Sequence, residues 1–216
     1  NSIENCFEHR EVILREAKSR EVGEKFVSTN NEDDAMRILI DAIRQQIPNA
    51  DKLTLHKYLP ESGDLLPIHS FSPEITPNLL VWSNPHPKGI KPDLRLGYGI
   101  AGRALELRDT ILVHDTESHP WFARLNPKED IKSLLVAPLF HSEGQESDEL
   151  FGTLSLESTK PNAFNLDDES TLTYLSAQTS RVIAKIRDFQ AWRERGGIFE
   201  RILEQIGKFD IKGEES

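Results

Sequence analysis

The chain has 216 residues, 37% hydrophobic and 29% charged, which gives room for one core with flanking helices and excludes wholesale disorder. The formal net charge of -10, with no dense Lys/Arg block, removes the electrostatic footprint that nucleic-acid binding needs. Cys6 is the sole cysteine, so an intramolecular disulfide or a four-thiolate metal site is excluded, and the apolar runs, such as residues 134–140, are too short to span a bilayer. These features point to a cytoplasmic protein.

Residues 2–27 carry Ile3, Phe7, Ile13, Leu14, Ala17, Val22 and Phe26 among charges at helical spacing, predicting an amphipathic helix. Asn30 to Asp34 offer capping side chains, and Ala35, Ile38, Leu39, Ala42, Ile43 and Ile47 predict a second helix that Pro48 ends. The stretch 52–59 alternates Leu53, Leu55 and Leu59 with polar residues, as a half-buried strand would, and residues 65–71 read as its hairpin partner. Seven of the twelve prolines lie between Pro60 and Pro92, so this region reads as loop, with 79–82 as its one further strand-like piece.

The glycine turn 97–102 opens a short helix to about Leu107, and 111–114 is a short strand. Asp115 or Thr116 caps a brief helical segment through Trp121 to Leu125. The apolar run 133–140 predicts a central strand buried on both faces, and 150–158 its hairpin partner. From Leu166 the pattern becomes a long helix, with Asp167, Asp168 and Glu169 at its positive start and apolar residues recurring to Trp192. Gly196-Gly197 interrupts this helix, and a further helical piece precedes a charged tail.

Asp115, His119, Trp121, Phe122 and Arg124 combine flat apolar surfaces with polar ends, which suits a lid over a small planar ligand. A structural helix whose aromatics fill the core explains the same residues equally well. The glycine turn could cradle phosphate, but without a lysine it reads better as a tight turn that lets the short helix pack closely. Of the seven histidines only His114 and His119 stand as close as five apart, and strand-to-helix placement points them differently, so neither a metal nor haem is expected. There is neither a serine elbow nor a Cys-His pairing, so no catalytic residue is assigned and the chain is not read as an enzyme.

Gly99-Ile100-Ala101-Gly102, Val113-His114-Asp115, the run Ser133 to Leu139 and the run Phe151 to Glu157 stand in an order and spacing that resemble the GAF family. The resemblance covers about residues 33–190. It implies an α+β domain: a mostly antiparallel central sheet with helices across one face, a pocket under loops on the other, and N- and C-terminal amphipathic helices that pair between subunits. With that geometry Arg95 and Tyr98 approach the lid residues. The chain divides accordingly into a leading helix and connector (1–32), a GAF-like sensory domain with its closing helix (33–192) and a helical linker and tail (193–216).

Some GAF domains hold a bilin through a pocket cysteine; the matching region here has none, which argues against covalent bilin. GAF-like methionine sulfoxide reductases need pairs of thiols, and the single cysteine argues against that chemistry. The residue set typical of the cyclic-nucleotide subgroup is also missing. The resemblance therefore implies a non-catalytic sensory or regulatory domain of an intracellular signalling protein, which binds a small-molecule ligand and dimerises through its terminal helices. The alternative is a ligand-free scaffold for dimerisation or partner docking, its pocket filled by Trp82, Trp121 or Phe122. Because the chain begins at Asn1, within a helical pattern, a flanking effector domain is expected in a longer protein.

Overall fold

The computed structural model describes residues 21–26, 28–71, 94–123, 130–142 and 148–210, with side chains described up to residue 68 in the first hairpin and to residue 196 in the last helix. The sequence-predicted strand at 79–82, most of the leading helix, Arg124 and the charged tail lie outside the described residues.

Residues 21–26 are helical and place Val22 and Phe26 in the core. The helix that follows, α1 (Glu32–Gln46), starts where Asn31 caps it, the side-chain oxygen accepting from the Asp34 amide at 2.8 Å. Three acidic residues in its first turn complement the helix dipole, and it stops at Ile47, just before Pro48. Five strands follow: β1 (Lys52–Leu59), β2 (Asp64–Phe71), β3 (Ile111–Val113), β4 (Ser133–His141) and β5 (Glu149–Ser158). The short helix α2 (Gly99–Leu107) lies between β2 and β3, and α3 (Leu166–Asp210) closes the chain.

The sheet is antiparallel throughout, in the order β2-β1-β5-β4-β3. Its alternate residues divide between two cores. On one face Leu53, Leu55, Leu135, Ala137, Leu139, Leu154 and Leu156 pack against α1 and α3 through Leu39, Ile43, Leu172, Leu175 and Ile183. On the other, Leu65, Val113, Leu134 and Val136 pack beneath Ile100, Ala101, Ala104 and Leu105 of α2. The expected two-faced burial of β4 is observed, from Ser133 to Leu139.

Three expectations are corrected. β1 is not half-buried: Leu53 to His56 are buried in succession, because the sheet carries a packed core on each of its faces. The helical segment expected from Asp115 is a series of turns through Trp121, since His119 precedes Pro120 and a residue before proline avoids the α region. Gly196-Gly197 does not interrupt α3, which runs unbroken to Asp210. Glycine weakens a helix by about 1 kcal/mol but keeps its amide donor, whereas proline would have removed it.

One guanidinium ties α3 to two other elements at once. Arg187 donates to Glu32 at 2.7 and 3.2 Å and to Glu149 at 2.8 Å, and lies 4.5 Å over the Phe151 ring. The start of α1, the start of β5 and the middle of α3 thus meet at one cation.

At Gly152 an added Cβ would stand 1.9 Å from the His56 carbonyl oxygen, so β1 can approach β5 there only because the side chain is a hydrogen. Gly152→Ala is therefore expected to lower the unfolding free energy by about 3 kcal/mol or more in urea titrations. An unchanged midpoint would refute the close approach. Nothing lies within 4 Å of a Cβ at Gly196, and Gly196→Ala is expected to slow local amide exchange by about fivefold, the equivalent of the alanine preference in a helix.

Candidate ligand site on the α2 face of the sheet

Alternation along β1 and β5 sets polar side chains on the face opposite the long helix. Thr54 stands across from Ser155 and His56 from Thr153, with Lys52 and Glu157 paired at the end of the same stripe. All four central residues are buried; His56 is 6% exposed and Thr153 fully covered. The His56 Nδ1 and Thr153 hydroxyl lie 3.4 Å apart, and the Lys52 ammonium is 3.3 Å from a Glu157 oxygen. The Thr54 hydroxyl is buried without a hydrogen-bond partner. A polar floor of this kind is unusual in a sheet interior, where each uncompensated group costs free energy.

The same face of the sheet carries α2, with Phe122 from the turns after β3 packed against the same core. Tyr98 is the N-cap of α2 and half exposed, and its amide donates to the Arg95 carbonyl at 2.9 Å. Arg95 itself is exposed, and its backbone forms an isolated antiparallel β-bridge with Asp64. At Gly102 a Cβ would fall 2.0 Å from the Arg95 carbonyl oxygen, so α2 is packed tightly on the turn before it. With the Gly102 amide bonded to Tyr98 and the Gly97 amide to Gly102, the glycine motif is a packing device, and those amides are committed within the turn.

Past β3, Asp115 is exposed and folds its own turn, accepting from the Glu117 amide at 3.0 Å. His119 meets Trp121 edge-on at 5.6 Å and accepts from its amide at 3.3 Å. Trp121 is 41% exposed, with the Arg103 guanidinium of α2 lying 5.6 Å from its ring. Phe122 instead packs against the core under α2. The structure thus brings His119, Trp121 and Phe122 to the edge of α2, leaves Asp115 in its own turn, and does not describe Arg124.

Sequence reasoning missed Thr54, His56, Thr153, Ser155 and Arg103. The signal for the first four is present: β1 and β5 both alternate leucine with polar residues, and two such strands side by side put the polar residues on one face. Among the described residues no group of three or more His, Cys, Asp or Glu is placed to hold a metal ion.

Burial pushes the His56 imidazole down to about 4, with the nearby Lys52 charge acting in the same direction. The folded protein therefore holds His56 neutral where the unfolded chain binds a proton. Its stabilising effect is complete above the unfolded value of 6.5 and is lost as pH falls towards 4, by about 1.4 kcal/mol per unit. Urea unfolding between those limits is expected to show this slope in the native protein and to lose most of it in His56→Leu. Equal slopes in both proteins would place the burial of His56 in error.

The family signature described as GAF domain matches residues 29–184, well over half of the chain. No curated protein matches the sequence. Among solved structures, the GAF domain from an Acinetobacter phosphoenolpyruvate-protein phosphotransferase is 20% identical with a TM-score of 0.62, covering 81% of this chain and 95% of its own. The corresponding domain from Coxiella burnetii is 19% identical with a TM-score of 0.61, over 82% and 96% of the two chains. A free methionine-R-sulfoxide reductase from Neisseria meningitidis, solved with its substrate, is 16% identical with a TM-score of 0.61, over 82% and 93%. Domains from signalling-type proteins and enzymes thus share this architecture, and at these identities the likeness is one of fold. With the signature across both cores and the same sheet-and-helix arrangement in its structural relatives, the chain belongs to the GAF domain family.

Proposed function

We propose that the chain is a non-catalytic sensory or regulatory domain of an intracellular signal-transduction protein, binding a small ligand on the α2 face and passing the signal through its terminal helices. The observation that carries this reading is the polar floor: Thr54, His56, Thr153 and Ser155 lie buried side by side, with the Thr54 hydroxyl unpartnered. Groups of that kind gain most when a ligand supplies the missing hydrogen bonds. The exposed Trp121, with His119 and Arg103 against it, offers a flat surface for a planar molecule. Arg95, Tyr98, Asp115, Phe122 and Arg124 complete the proposed set.

The reductase relatives raise the enzymatic alternative. Sulfoxide reduction leaves the attacking thiol oxidised and requires a second thiol to resolve it, and these 216 residues contain only Cys6. A ligand-free scaffold is the second reading, favoured by one observation: the floor is already covered, His56 being 6% exposed.

Exposed aromatics on α3 support a homodimer. Phe189 is 58% and Trp192 65% exposed, and their rings stack 6.2 Å apart. A second copy of α3 is the simplest cover for such a pair. Light scattering is expected to report a dimer, and Phe189→Glu with Trp192→Glu is expected to convert it to monomer while the domain stays folded. A monomeric native protein would remove this element.

Native mass spectrometry of the protein from its own host tests the ligand. The expected result is a small molecule that is lost on denaturation and whose occupancy falls at least tenfold, or about 1.4 kcal/mol, in folded His56→Leu. An empty protein that also takes up nothing from a metabolite extract would decide for the scaffold.

A further inference from the structure

β3 begins at Ile111, paired with Val136, so β4 beyond Ala137 has no strand neighbour on that side among the described residues. The chain turns away there through Arg108, the left-handed cap of α2, and Thr110. A cleft of about 310 Å³ opens between this turn, the end of β4 at Phe140 and the α3 residues Ser176, Ser180 and Arg181. It shares no residue with the polar floor or with the rest of the proposed ligand set.

Most polar groups in the cleft are committed. The Thr173 hydroxyl donates to the Glu169 carbonyl at 2.8 Å and lies 2.7 Å from the Thr110 hydroxyl. Ser180 accepts from the Phe140 amide at 3.1 Å and donates to the Ser176 carbonyl at 2.8 Å. Arg108 pairs with Asp148 and donates to the Glu106 carbonyl. Two groups remain. The Ser176 hydroxyl is buried without a hydrogen-bond partner, in a residue only 2% exposed. The Arg181 guanidinium, on the same helix at the mouth, makes no hydrogen bond or ion pair among the described residues.

We propose that this cleft is a second ligand site, which takes a small organic carboxylate between Arg181 and Ser176. A guanidinium and a hydroxyl supply the donors that a carboxylate accepts, and Pro138 and Ala177 give its carbon chain an apolar wall. Asp109 also lines the cleft, and its negative charge selects a singly charged group over a phosphate dianion. The bound molecule joins the turn after α2 to the helix that leaves the domain, so it links the roof of the first site to α3.

Butyrate, titrated into the full chain at constant ionic strength and followed by amide chemical shifts, is the probe. Saturable shifts are expected at residues 108–110, 140–142 and 173–181, with a Kd in the millimolar range, about what one small fragment achieves. Arg181→Gln and Ser176→Ala are each expected to weaken binding roughly tenfold, as loss of a hydrogen bond to a charged group does. Ser176→Ala should keep the native unfolding midpoint, because the hydroxyl it removes is unpartnered, and so separates loss of the site from loss of the fold. Absence of saturable shifts, shifts that persist in both variants, or inorganic phosphate binding in preference to butyrate would overturn the proposal.

Discussion

The two-sided burial of β5 governs the rest of the structure. It is the middle strand of five, hydrogen-bonded to β1 and β4, and covered by helices on both faces. Backbone groups in such a strand are used up within the sheet, so its chemistry comes from side chains, and the period of two sends these to opposite faces. Leu154 and Leu156 join the core under α1 and α3, while Thr153 and Ser155 join His56 and Thr54 beneath the α2 face. One strand thus separates a dry, apolar face from a face where polar groups are concentrated. Gly152 permits this at its tightest point, where β1 brings the His56 carbonyl to within a hydrogen's reach.

The long helix α3 is attached to this sheet by a few polar contacts set among leucines and isoleucines. Arg187 joins it to α1 and to the start of β5, Ser180 takes the Phe140 amide at the end of β4, and Thr173 meets Thr110 just before β3. Apolar packing provides most of the affinity between such layers, but it is non-directional, and hydrogen bonds of defined geometry select one register of the helix along the sheet. A change at the α2 face can reach α3 through the turn at 108–110, which touches both. That route gives physical content to the proposed signalling role and places the second cleft on it.

The fold accommodates both signalling-type domains and sulfoxide reductases among its structural relatives. Sulfoxide reduction by a thiol needs a second thiol to resolve the oxidised one, which is a property of side chains rather than of architecture. The proposed non-catalytic reading accordingly rests on Cys6 being the one cysteine of these 216 residues.

Much of the fold was legible from local pattern. The Asn31 cap, the stop before Pro48, the apolar run of β4, its hairpin with β5 and the acidic start of α3 are each set by residues close in sequence. The aromatic cluster at His119 and Trp121 was legible for the same reason, since three residues span it. Local pattern was misleading where a proline changed the backbone, at Pro120, and where glycine was given the power to end a helix, at Gly196. By itself the sequence determined the order of the elements, the family, and the limits that a single cysteine and an acidic surface place on the chemistry. Only the tertiary structure decided that Thr54, His56, Thr153 and Ser155 form one buried floor, and that Arg103 stands by Trp121. Whether a polar residue on a strand faces water or a second layer depends on what packs over it, and that cover comes from residues distant in the chain.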